Sequence, residues 1–304
     1  MKKVIQSPIN VSTASGEIVA EMVEHLRALP ALMVADYSSD RDHNRSVITL
    51  LGDEESLVEA VMSIFRVAAA KIDISKHTGE HPRIGAVDVV PFTPWWGVSM
   101  EDCQALAWKV GERVAQEFRV PVYFYAEAAR MPEHRDLSVL RRGGYELLRE
   151  EIDRVPGRQP DLGPAQVHPT LGAVAIGARG PLVAFNVNLD TQDLEVARYI
   201  ARKLRGETGG PHFVKAIGVH LRSRNLVQVS MNLLDFRRST LYQAFELVRL
   251  EARRFGVSVK GAEIIGLVPL EALVDTVSFY LGIPELKVTQ VLEYHLLDRQ
   301  EENF

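Results

Sequence analysis

The sequence predicts an α/β protein, of the α+β type, built from two pseudo-symmetric subdomains. Strand and helix periodicities alternate along the 304 residues, and the order strand, helix, strand, strand, helix, strand occurs twice, with a polar stretch between the two occurrences. That order is the split β-α-β signature, in which helices cover one face of a sheet. We therefore expect each subdomain to be a mixed β-sheet covered by helices on one face, with a cleft between the two where a ligand binds.

The first half opens with this order and then adds a further helix and strand. Its helices repeat apolar residues at intervals of three and four, and its strands are short runs rich in β-branched and aromatic residues. The predicted strands are 3–6, 31–37, 46–51, 87–92 and 120–125, and the predicted helices are 17–29, 55–74 and 100–118.

The stretch 154–164 is rich in Pro, Gly and charge, which is typical of a linker or a binding loop. We place the boundary after it and expect subdomains of residues 1–178 and 179–304. Beyond the stretch, the predicted strands are 172–176, 182–189, 214–221, 227–231 and 264–268, and the predicted helices are 194–204, 241–255, 270–281 and 287–297.

The composition is that of an ordinary soluble protein, with 46% hydrophobic and 25% charged residues. No apolar run approaches the roughly 18 residues that span a bilayer, and residues 1–5 become polar too early for a signal peptide. The single cysteine, Cys103, excludes an internal disulfide framework and is typical of a reducing cytosol. A formal net charge of −5 gives no general attraction to nucleic acid. We expect a cytoplasmic protein without membrane or nucleic-acid partners.

The segment 76–88 gathers two imidazoles, two carboxylates and two cations between glycines. Pro82 lacks a backbone N–H and disfavours helix at His81, so we expect an ordered loop. A histidine there is suited to take and return a proton at neutral pH. Three alternatives remain open. In the first, His77, Glu80 and His81 cap the end of a helix and form surface ion pairs. In the second, His77 and His81 bind a metal with Asp88, although such pairs usually need a helix. In the third, Lys76 and Arg83 are only solvated charges.

Several phrases match one family, in order and at similar spacing: residues 44–45, 77–88, 121–125, 127–130, 177–179, 184–189, 232–236 and 266–269. Together they resemble the formiminotransferase domain of glutamate formimidoyltransferases, which in animals is fused to a cyclodeaminase. The chain has no room for a cyclodeaminase after the second subdomain, so we expect the single-function form.

The resemblance implies two subdomains whose sheets face each other across a folate-binding tunnel, in a homodimer. It also implies a one-carbon transferase of histidine degradation. The formimino group of N-formimino-L-glutamate passes to N5 of tetrahydrofolate, the co-substrate, and no metal is needed. The catalytic histidine of the family, followed by Pro-Arg, is His81 here. We expect His81 to act first as base and then as acid, oriented by Glu80, Asp36 or His77.

The resemblance also implies a set of binding residues. Both substrates are anions, and the planar fork of arginine binds carboxylates bidentately, so the candidate clamps are Arg45, Arg83, Arg130 and Arg179. Arg141 and Arg142 are interpreted instead as solvated. Asn44 and Glu80 join the set through the matching phrases.

Glycines and asparagines complete the set. Glycine lets a flat pterin approach the backbone, and the family stretch matching 163–172 touches the folate, so Gly163, Gly172 and Gly177 are candidates, although turn chemistry explains each as well. The amides of Asn186, Asn188 and Asn232 can pair with a pterin edge or with nearby backbone.

The chain departs from the family pattern at residues 8–15, at Ser38, where an aspartate is common, and at 167–171, which lack a tryptophan. The first departure leaves the donor open, so the alternatives are an N-formylglutamate:tetrahydrofolate formyltransferase and a folate-binding protein without transferase activity. A metal-dependent hydrolase is the third alternative function.

Overall fold

The computed structural model describes residues 3–79, 82–206 and 209–295. The chain divides into two compact units, Met1–Arg179 and Gly180–Phe304. Each unit has one β-sheet and one main apolar core that packs that sheet against helices. The predicted α/β class with two subdomains is therefore confirmed. None of the helices in the described part is long and apolar enough to cross a membrane.

The first unit contains a six-stranded mixed sheet in the order β2-β3-β1-β4-β6-β5. Strands β4, β6 and β5 are parallel neighbours, and the other neighbouring pairs are antiparallel. Its strands are β1 (Val4–Val11), β2 (Leu32–Asp40), β3 (Arg45–Gly52), β4 (Val87–Trp96), β5 (Val122–Ala126) and β6 (Val174–Ala178), and its helices are α1 (Gly16–Arg27), α2 (Glu54–Lys71), α3 (Met100–Phe118), α4 (Leu137–Leu140) and α5 (Gly144–Glu151).

The three long helices begin where capping side chains accept backbone N–H groups. The side chains of Ser15, Asp53 and Ser99 do this for α1, α2 and α3. Alternate strand residues such as Ile9, Leu50 and Phe92 share one buried core with these helices. A second cluster, including Tyr123, Tyr125, Tyr145 and Leu148, lies on the opposite face of the sheet. Helices α4 and α5, which the sequence did not predict, cover that face in part.

Strand β1 is longer than the sequence predicts and contains Pro8. The prediction ended the strand at residue 6, whereas β1 continues to Val11 even though a proline cannot donate to a ladder. On one side Pro8 lies opposite Thr49 of β3. On the other side the ladder joins Gln6 to Thr93 and Asn10 to Val89, and by this register Pro8 lies opposite Pro91. Two residues without N–H groups face each other there, so neither leaves a donor unsatisfied.

The stretch 154–164 is not a linker between the units. The Asp161 side chain is 2% exposed, and its carboxylate contacts Nδ1 of the buried His134 at 2.8 Å and accepts the N–H of Phe124 at 2.8 Å. The N–H of Val122 donates to the carbonyl of Leu162. The strand that follows, β6, lies between β4 and β5 in the first sheet, whereas the sequence grouped it with the second half.

The second unit repeats the split β-α-β plan. Its strands are β7 (Val183–Leu189), β8 (Val214–Leu221), β9 (Leu226–Leu233) and β10 (Val259–Ile265), and its helices are α6 (Leu194–Leu204), α7 (Leu241–Arg254) and α8 (Leu270–Leu281). The order β10-β7-β9-β8 is the same as β4-β1-β3-β2 in the first unit, which agrees with the predicted pseudo-symmetry. This sheet is entirely antiparallel, so the prediction of a mixed sheet in each unit is wrong for the second. Among the residues that the structure describes, crossovers that add parallel strands occur in the first unit alone.

Two boundaries near the C-terminal end also differ from the prediction. Strand β10 begins at Val259 rather than at residue 264, and Gly266, with a φ of 70°, follows its end. The apolar run 264–268 suggested a later strand, but cross-strand pairing with β7 begins at Val259. The predicted helix at 287–297 is, as far as residue 295, a single 3-10 turn at Val288–Gln290 followed by turns and two helical residues, Tyr294 and His295.

Candidate functional site

The loop 76–88 is described on both sides of Glu80 and His81, and these two site candidates themselves lie outside the described residues. On the N-terminal side, Nε2 of His77 contacts the carbonyl oxygen of Asn44 at 2.8 Å. The Asn44 side chain donates to the carbonyl of Thr78 at 2.9 Å and accepts the N–H of Ala14 at 2.9 Å. Asn44 has a φ of 47°, a left-handed conformation that asparagine tolerates well. Asn44 therefore tethers the loop to the segment after β1.

Arg83 holds the C-terminal side of the loop. Its two terminal nitrogens donate to the two carboxylate oxygens of Glu146 on α5, at 2.9 and 2.6 Å. Nη2 also donates to the carbonyl of His77 at 3.0 Å, so Arg83 connects the two sides of the loop. Its Nε is buried and has no hydrogen-bond partner in the described part of the chain. The terminal nitrogens of Arg83, which the sequence proposed as a substrate clamp, are thus bound to the protein itself.

The loop ends at a buried ion pair. Asp88 is 1% exposed, and its Oδ1 accepts the N–H of Ile84 at 2.8 Å while its Oδ2 accepts from Arg141. The Arg141 side chain is only 14% exposed, so its interpretation as a solvated charge is wrong. A buried carboxylate needs such a partner because desolvating an unpaired charge is costly. Asp88 and Arg141 therefore fix the start of β4 against α4.

Three arginines, Arg45, Arg141 and Arg179, lie on the face of the first sheet that is opposite α1, α2 and α3. Burial, and then the charge of Arg141, lower the pKa of Arg45 to about 10, against the opposing pull of Asp88. Burial raises the pKa of the Tyr125 hydroxyl, although the charge of Arg179 and a hydrogen bond with it favour ionisation. The face thus combines guanidinium groups with a neutral phenol. Such a combination can bind a carboxylate with charge-assisted hydrogen bonds.

Burial favours the neutral form of His77. Burial is the main reason that its pKa lies below the ordinary value of 6.5, and the nearby charge of Arg83 lowers it further, while the contact with Asn44 and the carboxylates of Asp88 and Glu146 oppose the shift. Because Nε2 faces a carbonyl oxygen, Nε2 carries the proton and Nδ1 is left as an acceptor. Nδ1 is buried and has no hydrogen-bond partner in the described residues.

This pKa shift predicts a pH dependence of stability. A base with a lowered pKa binds fewer protons in the folded state than in the unfolded state, so its stabilising contribution falls as the pH drops below about 6.5. We expect the free energy of unfolding of the wild type, relative to His77→Gln, to decrease between about pH 7.5 and about pH 5.5. Denaturant unfolding of both proteins at several pH values measures this difference. A difference that is constant with pH would show that His77 does not titrate differently on unfolding.

The candidate glycines are packed against the protein backbone. A Cβ on Gly172, whose φ is 74°, would lie 2.4 Å from the carbonyl oxygen of Ile84, and one on Gly85 would lie 1.8 Å from that of Ala173. One on Gly163 would lie 2.7 Å from the carbonyl oxygen of Val120, and one on Gly177 would lie 2.5 Å from Tyr125. Gly85 and Gly172 pair in an isolated antiparallel bridge. This bridge brings the stretch 163–172 against the loop 76–88, two segments that the sequence singled out separately.

Arg130 is not part of the group of arginines formed by Arg45, Arg141 and Arg179. Its guanidinium lies over the rings of Phe124 and Trp108, with centroid distances of 4.7 and 5.5 Å. Both rings belong to the core on the helix-covered side of the sheet. The structure therefore separates Arg130 from Arg45, Arg141 and Arg179.

The candidate asparagines of the second unit lie on the face of its sheet opposite the helices. Asn186 and Asn188 on β7 are buried, with 6% and 2% exposure. Asn188 belongs to a hydrogen-bonded network with Gln228 and Glu263. Asn232 on β9 is exposed, and it lies opposite Ala184 of β7 and Lys215 of β8.

Sequence reasoning missed the residues that hold this region together. Arg141 and Glu146 lie 53 and 63 residues from their partners in the loop, Asp88 and Arg83, and no local pattern distinguishes them from surface residues. Asp88 was noted only as a possible metal ligand. The one available signal was its position, a carboxylate at the beginning of an apolar strand, where a charge must be paired.

Comparison with known proteins identifies the family. Residues 4–179 match the model of the formiminotransferase domain, N-terminal subdomain, and residues 184–296 match that of the formiminotransferase domain. A glutamate formimidoyltransferase of Streptococcus pyogenes serotype M1 is 42% identical over 299 residues, which cover 98% of this chain and 100% of that protein. One of Thermoplasma acidophilum is 43% identical and covers 88% of each chain. A formimidoyltransferase-cyclodeaminase of Rattus norvegicus is 39% identical over 95% of this chain and 54% of its own length. The chain therefore belongs to the formiminotransferase family.

Proposed function

We propose that the chain is a glutamate formimidoyltransferase, which moves the formimino group of N-formimino-L-glutamate to N5 of tetrahydrofolate and releases glutamate. The observation that carries this proposal is membership of the family together with relatives of that name that match along almost their whole length. The partly buried arginines Arg45, Arg141 and Arg179 support it, because both substrates carry carboxylates.

The chemistry requires a group that moves one proton. N5 of tetrahydrofolate attacks the amidine carbon, a tetrahedral intermediate forms, and the bond to the glutamate nitrogen breaks. The proton lost by N5 must reach that departing nitrogen. We propose that His81 accepts and then returns this proton, a role typically worth ~10²–10⁴ in rate. No metal is needed for this proton balance.

The residues around the loop support a division of roles. Asn44 and Arg83 position the loop, because their side chains are bonded to loop carbonyls. Arg45 and Arg179 are the clamps that we propose for substrate carboxylates, with Arg141 contributing charge from its pair with Asp88. We also propose that the folate is bound by residues 163–172 and by Asn186, Asn188 and Asn232, since all of them lie in or next to phrases that resemble the family.

We further propose that residues 1–178 and 179–304 are the functional subdomains of a cytoplasmic homodimer.

The test is a turnover assay that measures glutamate release from two donors in the presence and absence of tetrahydrofolate. We expect folate-dependent release from N-formimino-L-glutamate, faster than from N-formyl-L-glutamate. Faster release from the formyl donor would instead identify a formyltransferase, the alternative that the changed residues 8–15 leave open. Binding of tetrahydrofolate without release from either donor would identify a folate-binding protein and overturn the proposal.

A further inference from the structure

A polar group lies on the face of the second sheet opposite its helices, on three neighbouring strands. Asn188 of β7 lies opposite Gln228 of β9, and Glu263 of β10 lies opposite Asn186 of β7. Asn188 and Gln228 are buried, with 2% and 1% exposure, whereas the Glu263 side chain is 33% exposed. The interior of this group is thus shielded from solvent, and Glu263 lies at its accessible rim.

The hydrogen bonds fix how both amides point. The Asn188 side-chain N–H donates to Oε1 of Glu263 at 3.0 Å, and its carbonyl oxygen accepts from Nε2 of Gln228 at 2.8 Å. Nε2 of Gln228 also lies 3.5 Å from Oε2 of Glu263. Because only the nitrogen of Gln228 can donate to these oxygens, its Oε1 is turned away from them. The network holds the Glu263 carboxylate in place, and Arg224 donates to it from the 3-10 turn before β9.

Oε1 of Gln228 is the unexplained atom of this group. It is buried and has no hydrogen-bond partner among the residues that the structure describes. Such an atom is uncommon, because a buried acceptor without a donor loses the hydrogen bonds that it made to water. A ligand with N–H groups would satisfy it. Glu263, whose Oε2 lies 3.5 Å from Nε2 of the same amide, is the partly exposed group beside it.

We infer that Glu263 and Gln228 form a subsite for a flat ligand edge that carries adjacent N–H donors, which in the proposed reaction is the 2-amino and N3–H edge of the tetrahydrofolate pterin. Two parallel N–H groups match the two oxygens of a carboxylate. The side chains of Val219, opposite Gln228, and of Leu226, two residues before it on the same face, belong to a small apolar cluster beside the polar group. This inference rests on the proposed function for the identity of the ligand.

The experiment compares two ligands by calorimetry under reducing conditions. Tetrahydrofolate contains the pterin, and p-aminobenzoylglutamate lacks it but keeps the carboxylates. We expect Glu263→Gln to weaken tetrahydrofolate binding by about 10- to 100-fold, the usual effect of losing a charge-assisted pair, and to leave p-aminobenzoylglutamate binding unchanged. The matched control is Glu271→Gln, since Glu271 is also paired with an arginine, Arg237, but lies on α8. Glu271→Gln should bind both ligands as the wild type does.

Unchanged tetrahydrofolate binding by Glu263→Gln, or equal weakening of both ligands, would overturn the inference. If Glu263→Gln does not fold, Gln228→Met decides, because it removes the buried acceptor and keeps the carboxylate. This variant should likewise weaken the binding of tetrahydrofolate only, and unchanged tetrahydrofolate binding would overturn the inference.

Two outcomes separate the subsite from the proposed function. If the wild type releases glutamate but its folate binding does not depend on Glu263, the subsite alone is contradicted. Folate binding that depends on Glu263 without glutamate release contradicts the proposed transferase alone. A wild type that does not bind tetrahydrofolate overturns both.

Discussion

His81→Ala is expected to lower the turnover number with N-formimino-L-glutamate and tetrahydrofolate by about 10²–10⁴. The physical reason is that N5 becomes acidic only as it attacks, so the proton must be taken up at that moment and delivered to the glutamate nitrogen. An imidazole has a pKa near neutrality and can do both in one turnover. Water must replace it in the variant. The Michaelis constants should change much less than the turnover number, because the carboxylates are held by other residues.

The measurement is steady-state glutamate release, with circular dichroism and thermal unfolding to show that the variant is folded. His25→Ala is the matched control, since His25 is an exposed histidine on α1 and should leave turnover unchanged. A folded His81→Ala protein with wild-type turnover would remove His81 from the mechanism. A rise in the Michaelis constants alone would assign it to binding instead.

Arg141→Met is expected to lower the free energy of unfolding by about 3 kcal/mol, the lower end of the range for breaking a buried ion pair. Asp88 is 1% exposed, so its charge cannot turn to solvent when the guanidinium is removed. Arg45 acts on the same carboxylate, which limits the loss. Methionine retains much of the apolar stem of arginine, so the effect reports mainly the lost charge.

Denaturant unfolding measures this effect, and two further proteins make it specific. Arg113→Met removes an arginine that is paired on the surface with Glu59 and Glu117, and it should cost at most about 1 kcal/mol. Combining Arg141→Met with Asp88→Asn removes both buried charges and should recover part of the loss, which a double-mutant cycle quantifies. If Arg141→Met and Arg113→Met cost the same, the pair with Asp88 is not the main support of the loop.

Much of the fold is readable from local sequence because its signals repeat within a few residues. The three long helices of the first unit and the three helices of the second follow apolar spacing and lie within a few residues of their predicted bounds. Strand limits were less accurate, as β1 and β10 show, because a strand extends as far as its neighbours offer partners. Pro8 would end an isolated strand, yet it is accommodated here opposite Pro91.

The roles of the site residues divide in the same way. The sequence itself singled out the loop 76–88, with His81 as the proton carrier, and the family to which the chain belongs. Only the tertiary structure decided that Arg141 is the partner of Asp88, that Arg83 is bound to Glu146, and that Arg130 lies on the other side of the sheet. Ion pairs of this kind join residues more than 50 positions apart. Their geometry depends on how sheet and helices pack, and no periodicity along the chain encodes it.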